Sequence, residues 1–531
     1  MEENNTKSGT YWMLQPMVIA LVLAGGFLLG WYFQRDGNHS VIKGPHGTEI
    51  SSYNKLGEIL NFIQTKYVDS VDIDHLADVA AGAMLKELDP HSYYIPKKDA
   101  EAINNRMQGN IDGIGVEFFL FKDTVYIIDI ISNSPAADSE LSRGDAILSI
   151  NDSLVSGYQR EVSEILELFR SSADSEVNLI VFRALEGEQI KINLSRSKVP
   201  VKSIGSSYMI EEDLLYIKLN SFNSRSYSEF MQVIEDAVKN RSEISIILDL
   251  RHNPGGYLQE AIKILSQLFP RAGTTLVKTK GLHSIEKTYR TSGRNFFSID
   301  RVAVLIDGAS ASASEIIAGV IQDLDRGIVV GTESYGKGSV QEHYTLRDES
   351  ALRLTVSKYF IPSGRSILKN KNVFSSENSG DSSQLYYTSN GREVLQGSGI
   401  TPDITVATDS IFVHSDFNQI MQLVNKLAFS YFIEQPDKGK SLTTEDVKHN
   451  ISQQWQEELL EFAGEDKFES QVNSFIESDA EKLHSFLVAR LARFFLGENA
   501  YYEILNQTDP VVNSALHALD NDYQAMLSNA R

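Results

Sequence analysis

Short apolar runs alternate with longer amphipathic runs through the middle of the chain. The runs at 214–222, 244–250 and 302–306 have the length and composition of buried strands. Apolar residues in the segments 228–238 and 258–265 recur at the spacing of one helix face. Strands that alternate with helices favour an α/β core with a largely parallel sheet.

The N-terminal part of the chain contains one long apolar stretch. No charged residue occurs in residues 8–34, and Met17–Phe33 is almost entirely apolar, which is long enough to span a bilayer. We therefore predict a short N-terminal tail at 1–12 and an uncleaved transmembrane signal anchor at 13–33. A cleaved signal peptide is the alternative.

Three further regions are distinguished by pattern alone. Residues 34–50 are polar and glycine-rich and indicate a linker, and residues 51–108 show helical periodicity. From 409 to 531 the strand-like runs disappear, which predicts a C-terminal helical domain. Its apolar faces could pack on the core, bind a partner or form a homo-oligomer interface.

Composition excludes several classes of protein. The 531 residues are 42% apolar, which is enough for several packed cores, and the formal net charge of −22 argues against a nucleic-acid partner. With no cysteine, disulfides, thiolate catalysis and cysteine-bound zinc are excluded. The chain has no H-E-x-x-H pattern, and we predict neither a metal nor a cofactor.

The strongest chemical signal lies between residues 302 and 341. An apolar run ends at Asp307, a small-residue segment then places Ser312 at a helix entrance, and a later tight turn carries Lys337 between two glycines. A hydroxyl at a strand-to-helix turn and a lysine on a tight turn are the parts of a serine/lysine nucleophilic site. The alternative is structural, because Ser312 and Glu315 also fit the S-x-x-E capping box.

A lysine base needs a perturbed pKa. At its reference pKa of about 10.4 the amine is almost fully protonated at neutral pH, so it accepts a proton from serine only if burial lowers that pKa. We therefore expect apolar surroundings for Lys337. The uncharged amide of Gln341 could hold the amine without adding a charge that keeps it protonated.

The segment SASASE followed by YGKGSVQ resembles the nucleophile region of the carboxyl-terminal processing proteases, also called tail-specific proteases. The resemblance implies that Ser312 is the nucleophile, Lys337 the general base and Gln341 the residue that orients it. Tyr335 stands where the family usually has phenylalanine.

A second motif, LDLRHNPGG at 248–256, resembles the oxyanion turn of the same family. The resemblance implies that a backbone N–H of Gly255 or Gly256 stabilises the oxyanion together with the N–H of Ala313. The spacing does not show which glycine donates. The family also implies an α/β core of the crotonase/ClpP-like type, here at 200–408.

The segments GNIDGIGVEFFL and NSPAADSELSRGDAILSIND resemble a PDZ domain, which we place at 109–199. The resemblance implies that a peptide adds as a strand to a sheet edge. Backbone N–H groups then capture the peptide carboxylate, at Gly113, Ile114, Gly115 and Val116. The domain could also act internally, as a lid or inhibitor over the active site, and the two roles are compatible.

Two histidines offer competing chemistry. His91 lies in LDPHSYY, another family-like segment, where a cap or packing role is commoner than catalysis or metal binding. His343 follows Lys337 closely, so a triad of Ser312, His343 and Asp249 is an alternative to the lysine base.

The sequence as a whole predicts an α/β protease core with an inserted PDZ domain, an N-terminal helical region, a C-terminal helical domain and one transmembrane helix. The expected function is a membrane-anchored serine endopeptidase that binds accessible C-termini of protein or peptide substrates. The resemblance implies a place at the inner membrane with the catalytic part on the periplasmic side. The alternatives are an inactive PDZ adaptor and a CoA-handling enzyme of the crotonase type.

Overall fold

A computed structural model describes residues 51–170, 175–184, 186–369, 384–407, 416–434, 442–465 and 467–528. The predicted transmembrane anchor at 13–33 and the linker at 34–50 lie outside these residues. Within the described ranges, no helix is both long enough and apolar enough to cross a membrane. The chain forms two compact units, residues 1–80 and 81–531.

The described part of the first unit is helical, as predicted. Helix α1 covers Ser51–Lys66, and helix α2, Ile73–Lys86, begins in this unit. Neither helix contains a proline or a long β-branched run, which is consistent with helix propensity.

The second unit contains the remaining elements. Its helices are α3 (Lys97–Met107), α4 (Val162–Phe169), α5 (Ser226–Val238), α6 (Leu258–Leu268), α7 (Ala313–Asp323), α8 (Phe417–Glu434), α9 (Thr444–Val447), α10 (Trp455–Glu465), α11 (Glu469–Leu496), α12 (Glu498–Asn506), α13 (Pro510–His517) and α14 (Tyr523–Leu527). Its strands are β1 (Tyr93–Ile95), β2 (Asn110–Gly113), β3 (Val116–Phe121), β4 (Thr124–Ile130), β5 (Ala146–Ile150), β6 (Ser153–Leu154), β7 (Glu176–Arg183), β8 (Glu188–Ser195), β9 (Ser197–Pro200), β10 (Ile204–Met209), β11 (Leu214–Leu219), β12 (Ile244–Asp249), β13 (Thr275–Lys280), β14 (Lys287–Arg290), β15 (Ile299–Ile306), β16 (Ile328–Gly331), β17 (Ser339–Thr345), β18 (Ala351–Phe360), β19 (Leu385–Tyr387), β20 (Glu393–Leu395) and β21 (Ile404–Thr405).

The predicted α/β core is built on one sheet with the strand order β10-β11-β12-β15-β16-β21. Only β10 runs antiparallel to its neighbour, and the other pairs are parallel, as predicted. Every residue of β11 and β12 is buried, which is the pattern of a parallel sheet covered on both faces. Because parallel strands end at one edge, the loops that follow β12 and β15 meet there.

Helices cover the two faces of this sheet. Helices α5, α6 and α7 pack on one face, with Phe230, Ile264 and Ile317 in the shared core. On the other face, Val512 of α13 and Tyr523 of α14 pack in a second core with strand residues. Of the roles left open for the C-terminal helices, packing on the core is therefore observed.

A second, antiparallel sheet lies beside the first and was not predicted. Its order is β1-β18-β13-β14, and β17 also pairs with β18. Strand β1 is only three residues long, with Tyr93 opposite Arg353 and Ile95 opposite Ala351. This pairing brings the LDPHSYY segment alongside β18, the partner of the strand β17 that follows the predicted lysine turn.

The region that resembles a PDZ domain forms a sheet of order β3-β4-β5-β7-β8 around its own apolar core. Strand β3 is an edge strand, and its side chains alternate between two surroundings. The Phe118 ring contacts Phe169 of α4 at 5.8 Å between centroids. The Phe119 ring points the other way and contacts Phe429 of α8 at 4.8 Å.

The outer face of this small sheet is attached to the C-terminal helices. Phe121 joins the same aromatic cluster, with its ring 5.2 Å from that of Phe429. The Arg143 guanidinium donates to the Phe494 carbonyl and, at 3.4 Å, to the Phe495 carbonyl near the end of α11. The helical domain therefore holds the peptide-binding fold through both apolar and polar contacts.

Candidate active site

Ser312 lies at the N-terminus of α7, immediately after the loop that leaves β15. Its backbone has φ 56° and ψ −112°, a left-handed conformation that is rare and strained for a residue with a side chain. Asp307 stabilises this loop, because its carboxylate accepts the N–H of Ala309 and of Ser310. The Ser310 hydroxyl in turn donates to the Leu250 carbonyl at 2.8 Å, which joins the loop to the end of β12.

The Glu315 carboxylate joins the serine turn to the lysine turn. Its Oε2 accepts the N–H of Ser312 and the N–H of Lys337, both at 2.8 Å. Its Oε1 accepts the N–H of Gly336 and the hydroxyl of Ser334, both at 2.6 Å. Glu315 is fully buried, and this burial raises its pKa while the four hydrogen bonds act in the opposite direction. The capping residue predicted from S-x-x-E therefore also orders the second turn.

Lys337 is half-buried in the turn two residues before β17. Burial is the main cause that lowers its pKa below the ordinary value, and the positive charge of Arg353 lowers it further. The carboxylates of Glu315 and Asp89 act in the opposite direction. The expected apolar surroundings are thus only partly found, since three charged side chains influence the amine.

Gln341 lies on β17, four residues after Lys337. Its Nε2 donates to the Ser339 hydroxyl at 2.8 Å and to the Ser339 carbonyl at 3.2 Å. The same nitrogen lies 3.5 Å from Thr355 Oγ1 on β18. An amide nitrogen held in this way leaves the amide oxygen as the end that can accept a bond from the lysine.

The glycine turn after β12 packs directly against the serine turn. A Cβ on Gly255 would lie 2.8 Å from Ser312 Cβ and 2.9 Å from Ala313 N. The Gly255 N–H donates to the Asn253 side chain at 2.8 Å, and the Asn253 carbonyl accepts the hydroxyl of Ser314 at 2.9 Å. Asn253 therefore fastens the two predicted oxyanion elements to each other.

The alternative triad gains no support from the surroundings of Asp249. Its carboxylate accepts hydrogen bonds from Tyr216 at 2.7 Å, from Lys218 at 3.2 Å and from Arg251. Burial alone would raise the pKa of Asp249, but Arg251 and Lys218 hold it well below its usual range. His343 is exposed on β17.

Sequence reasoning missed several residues near the lysine. Burial lowers the pKa of His91, with the charge of Lys337 as the second cause, and the His91 ring lies 6.4 Å from the ring of Tyr335 in the lysine turn. Tyr359 on β18 is buried, and its hydroxyl donates to the Lys337 carbonyl. The LDPHSYY motif was the available signal for His91, but only the unpredicted second sheet brings it to this place.

The predicted carboxylate-binding residues lie where β2 ends and β3 begins. Ile114 is buried, and Gly115 has φ +87° with Ser134 so close that a Cβ would lie 2.1 Å from its side chain. A side chain at Gly115 would therefore displace the turn. Gly113 closes β2, Val116 opens β3, and helix α4 lies beside that strand.

Comparison with known proteins identifies two domains and a family. A model of peptidase family S41 matches residues 213–374, and a PDZ domain model matches residues 113–194. The carboxy-terminal-processing protease of Bartonella bacilliformis is 31% identical over 368 residues, which cover 67% of this chain and 76% of that relative. A probable CtpA-like serine protease of Staphylococcus aureus is 29% identical over 370 residues, which cover 69% of this chain and 67% of that relative.

Among solved structures, a photosystem II D1 C-terminal processing protease is similar at 23% identity. The match covers 67% of this chain and 86% of that chain, with a TM-score of 0.37. The identity with the Bartonella protein and its coverage show that the chain belongs to the carboxy-terminal-processing proteases of peptidase family S41, and that it is a serine-type peptidase with a PDZ domain.

Proposed function

We propose that the protein is an endopeptidase that cleaves peptide bonds through an acyl-enzyme formed on Ser312, with Lys337 as the base. The observation that carries this proposal is the shared Glu315 oxygen, which accepts the N–H of both residues at 2.8 Å. One buried atom thus holds the nucleophile turn and the base turn together. The lowered pKa of Lys337 supports the same role, because a neutral amine can accept the serine proton.

The reaction balances with these two side chains and water. Ser312 Oγ attacks the scissile carbonyl carbon while its proton moves to Lys337 Nζ, which gives a tetrahedral oxyanion. Collapse breaks the C–N bond, and Lys337 returns the proton to the leaving amine. Water then attacks the Ser312 ester, its proton passes through Lys337 back to Ser312, and the new carboxyl terminus leaves.

The oxyanion is stabilised by backbone N–H groups beside Ser312. The Gly255 N–H donates to Asn253, so it is engaged elsewhere. This favours Gly256 and Ala313 as the donor pair, and each donor of this kind is worth about 3 kcal/mol in the transition state.

Peptide capture is the second part of the proposal. Strand β3 is the terminal strand of its sheet as described, and Phe169 of helix α4 contacts Phe118 of β3, so a peptide that adds to this edge would lie between β3 and α4. A substrate C-terminus that pairs with β3 would place its carboxylate at the turn formed by Gly113, Ile114, Gly115 and Val116. Main-chain pairing gives affinity that depends little on sequence, so the terminal carboxylate sets the register.

The proposal also covers the cellular location of the protein and the type of its core fold. The apolar run Met17–Phe33 is long enough to support a membrane anchor, and the resemblance to the family supports a catalytic part on the periplasmic side of the inner membrane. The strand and helix order of the core, with parallel strands between two helical layers, supports a fold of the crotonase/ClpP-like type.

The test compares cleavage of a protein substrate by the wild type and two variants. Ser312→Ala and Lys337→Ala should each remove cleavage while binding of the substrate tail persists, and Lys358→Ala, an exposed lysine of β18, serves as the matched control. Cleavage that survives both active-site changes contradicts the mechanism. An inactive adaptor would bind the tail without cleavage in the wild type. Amidation of the substrate C-terminus should weaken binding, because it removes the carboxylate.

A further inference from the structure

The hydrogen-bond partners of Nε2 show which way the Gln341 amide is oriented. Nε2 lies 3.2 Å from the Ser339 carbonyl oxygen, which is an acceptor only, so this end of the amide must be the donor. The second partner is the Ser339 hydroxyl at 2.8 Å, and the third is Thr355 Oγ1 at 3.5 Å. The amide oxygen is then the end of Gln341 that can accept a hydrogen bond.

Asp89 determines where the Thr355 hydroxyl directs its hydrogen. Thr355 Oγ1 donates to Asp89 Oδ1 at 3.2 Å, and an ionised carboxylate can only accept. A hydroxyl has a single hydrogen, so towards Gln341 the Thr355 oxygen can only accept. Gln341 therefore donates to Thr355, and Thr355 donates to Asp89.

Asp89 is itself held in a tight turn. Its Oδ1 accepts the N–H of His91 at 2.7 Å and the N–H of Ser92 at 2.9 Å, and its Oδ2 accepts the Ser92 hydroxyl at 2.7 Å. The Ser92 oxygen accepts the N–H of Thr355 at 3.0 Å, and β1 pairs with β18 directly after the turn. Main-chain pairing thus keeps the carboxylate within reach of the Thr355 side chain.

We propose that Thr355, oriented by Asp89, is a positioning residue of the active site that acts together with Ser339 to hold the nitrogen end of the Gln341 amide, so that the amide oxygen is presented to the Lys337 amine. The inference rests on the proposed function, because it matters only if Lys337 is the base. A reversed amide would present its NH₂ group to the lysine, and two donors cannot hold each other. The amine would lose the acceptor that keeps it aligned with Ser312.

The charged and titratable groups around this amine come from several elements. Arg353 lies on β18 and Glu315 on α7, while Asp89 and His91 belong to the turn before β1. Thr355→Val changes none of these charges. It also retains a β-branched side chain, which suits a strand, and leaves the backbone pairing of β18 intact.

The experiment measures kcat and KM against pH for cleavage of a protein substrate. Thr355→Val should lower kcat about tenfold with KM unchanged, which is the effect of one lost positioning hydrogen bond. Thr355→Ser restores the hydroxyl and should restore kcat. If the Thr355→Val variant does not fold because the valine is too crowded, Thr355→Ala, which also lacks the hydroxyl, should lower kcat in the same way. Thr345→Val, at an exposed position of β17, is the matched control and should behave as the wild type.

The pH dependence of kcat distinguishes a lost orientation of the Gln341 amide from a general loosening of the active site. Loss of the amide oxygen removes an acceptor that favours the ammonium form, so the pKa of Lys337 should fall and the acid limb of kcat should move to lower pH. A loosened site would admit water, which raises that pKa and moves the limb the other way.

A double-mutant cycle completes the test. If Thr355 acts through Gln341, Thr355→Val should have no further effect on kcat in a Gln341→Ala background. The inference is overturned if Thr355→Val keeps the wild-type kcat, if its acid limb moves to higher pH, or if its effect is the same in both backgrounds. Cleavage by Ser312→Ala and Lys337→Ala would instead refute the proposed function, which is a separate observation.

Discussion

Replacing Gly255 by alanine should disable the enzyme through a displacement that can be worked out from the structure. The new Cβ would lie 2.6 Å from the Ala311 carbonyl oxygen and 2.8 Å from Ser312 Cβ. Because comfortable contact with carbon begins at about 3.5 Å, the nucleophile turn must retreat by about 1 Å. A misplacement of that size costs about a hundredfold in rate. Strain at φ +92° and crowding together should also lower the free energy of unfolding by about 2 to 5 kcal/mol.

Gly273 supplies the matched control for this prediction. It also has a positive φ, +79°, but a Cβ there would meet no atom within 4 Å. Gly273→Ala should therefore carry the backbone strain, about 1 to 2 kcal/mol, and retain full activity. The assay is kcat for protein cleavage together with thermal unfolding of both variants. Equal activity of the two variants would refute the reasoning, because strain alone would then account for everything that Gly255 does.

Two further predictions concern charge and domain attachment. Lys337 accepts a proton only when neutral, and the charge of Arg353 lowers the pKa of Lys337. Arg353→Gln should therefore raise that pKa and move the acid limb of kcat/KM to higher pH, with Lys358→Gln as the control. An acid limb that does not move would contradict this role of Arg353. Phe121 is buried against the Phe429 ring, so Phe121→Ala should lower the free energy of unfolding by about 3 to 5 kcal/mol in thermal or urea unfolding. An unchanged unfolding transition would show that the PDZ domain is attached by other contacts.

Much of the site could be predicted because its chemistry is local in sequence. Ser312 and Lys337 each lie in a short motif whose turn and flanking strand are visible in the sequence, and the parallel core explains why their loops meet. The oxyanion turn is also local, but the choice between Gly255 and Gly256 depends on the Asn253 side chain. That hydrogen bond follows from the three-dimensional turn and not from spacing.

The contributions of Asp89 and Thr355 could not be predicted in the same way. They are separated by 266 positions in the chain and meet only through the pairing of a three-residue strand with β18. A strand of that length has no measurable period, so pattern analysis of 51–108 indicated helices only. His91 reaches Lys337 by the same route, which is why its motif gave no indication of its position.

The two interpretations of S-x-x-E prove compatible, and this compatibility suggests how the site is ordered. An ordinary capping glutamate serves one helix end, but Glu315 Oε2 also accepts the Lys337 N–H. Burial of an unpaired carboxylate would be costly, so the four donors from two loops must be present together for this residue to be accommodated. The Ser312 turn and the Lys337 turn therefore stabilise each other through one side chain. It follows that a change that loosens the Lys337 turn should also disturb the Ser312 backbone, even without contact between the two side chains.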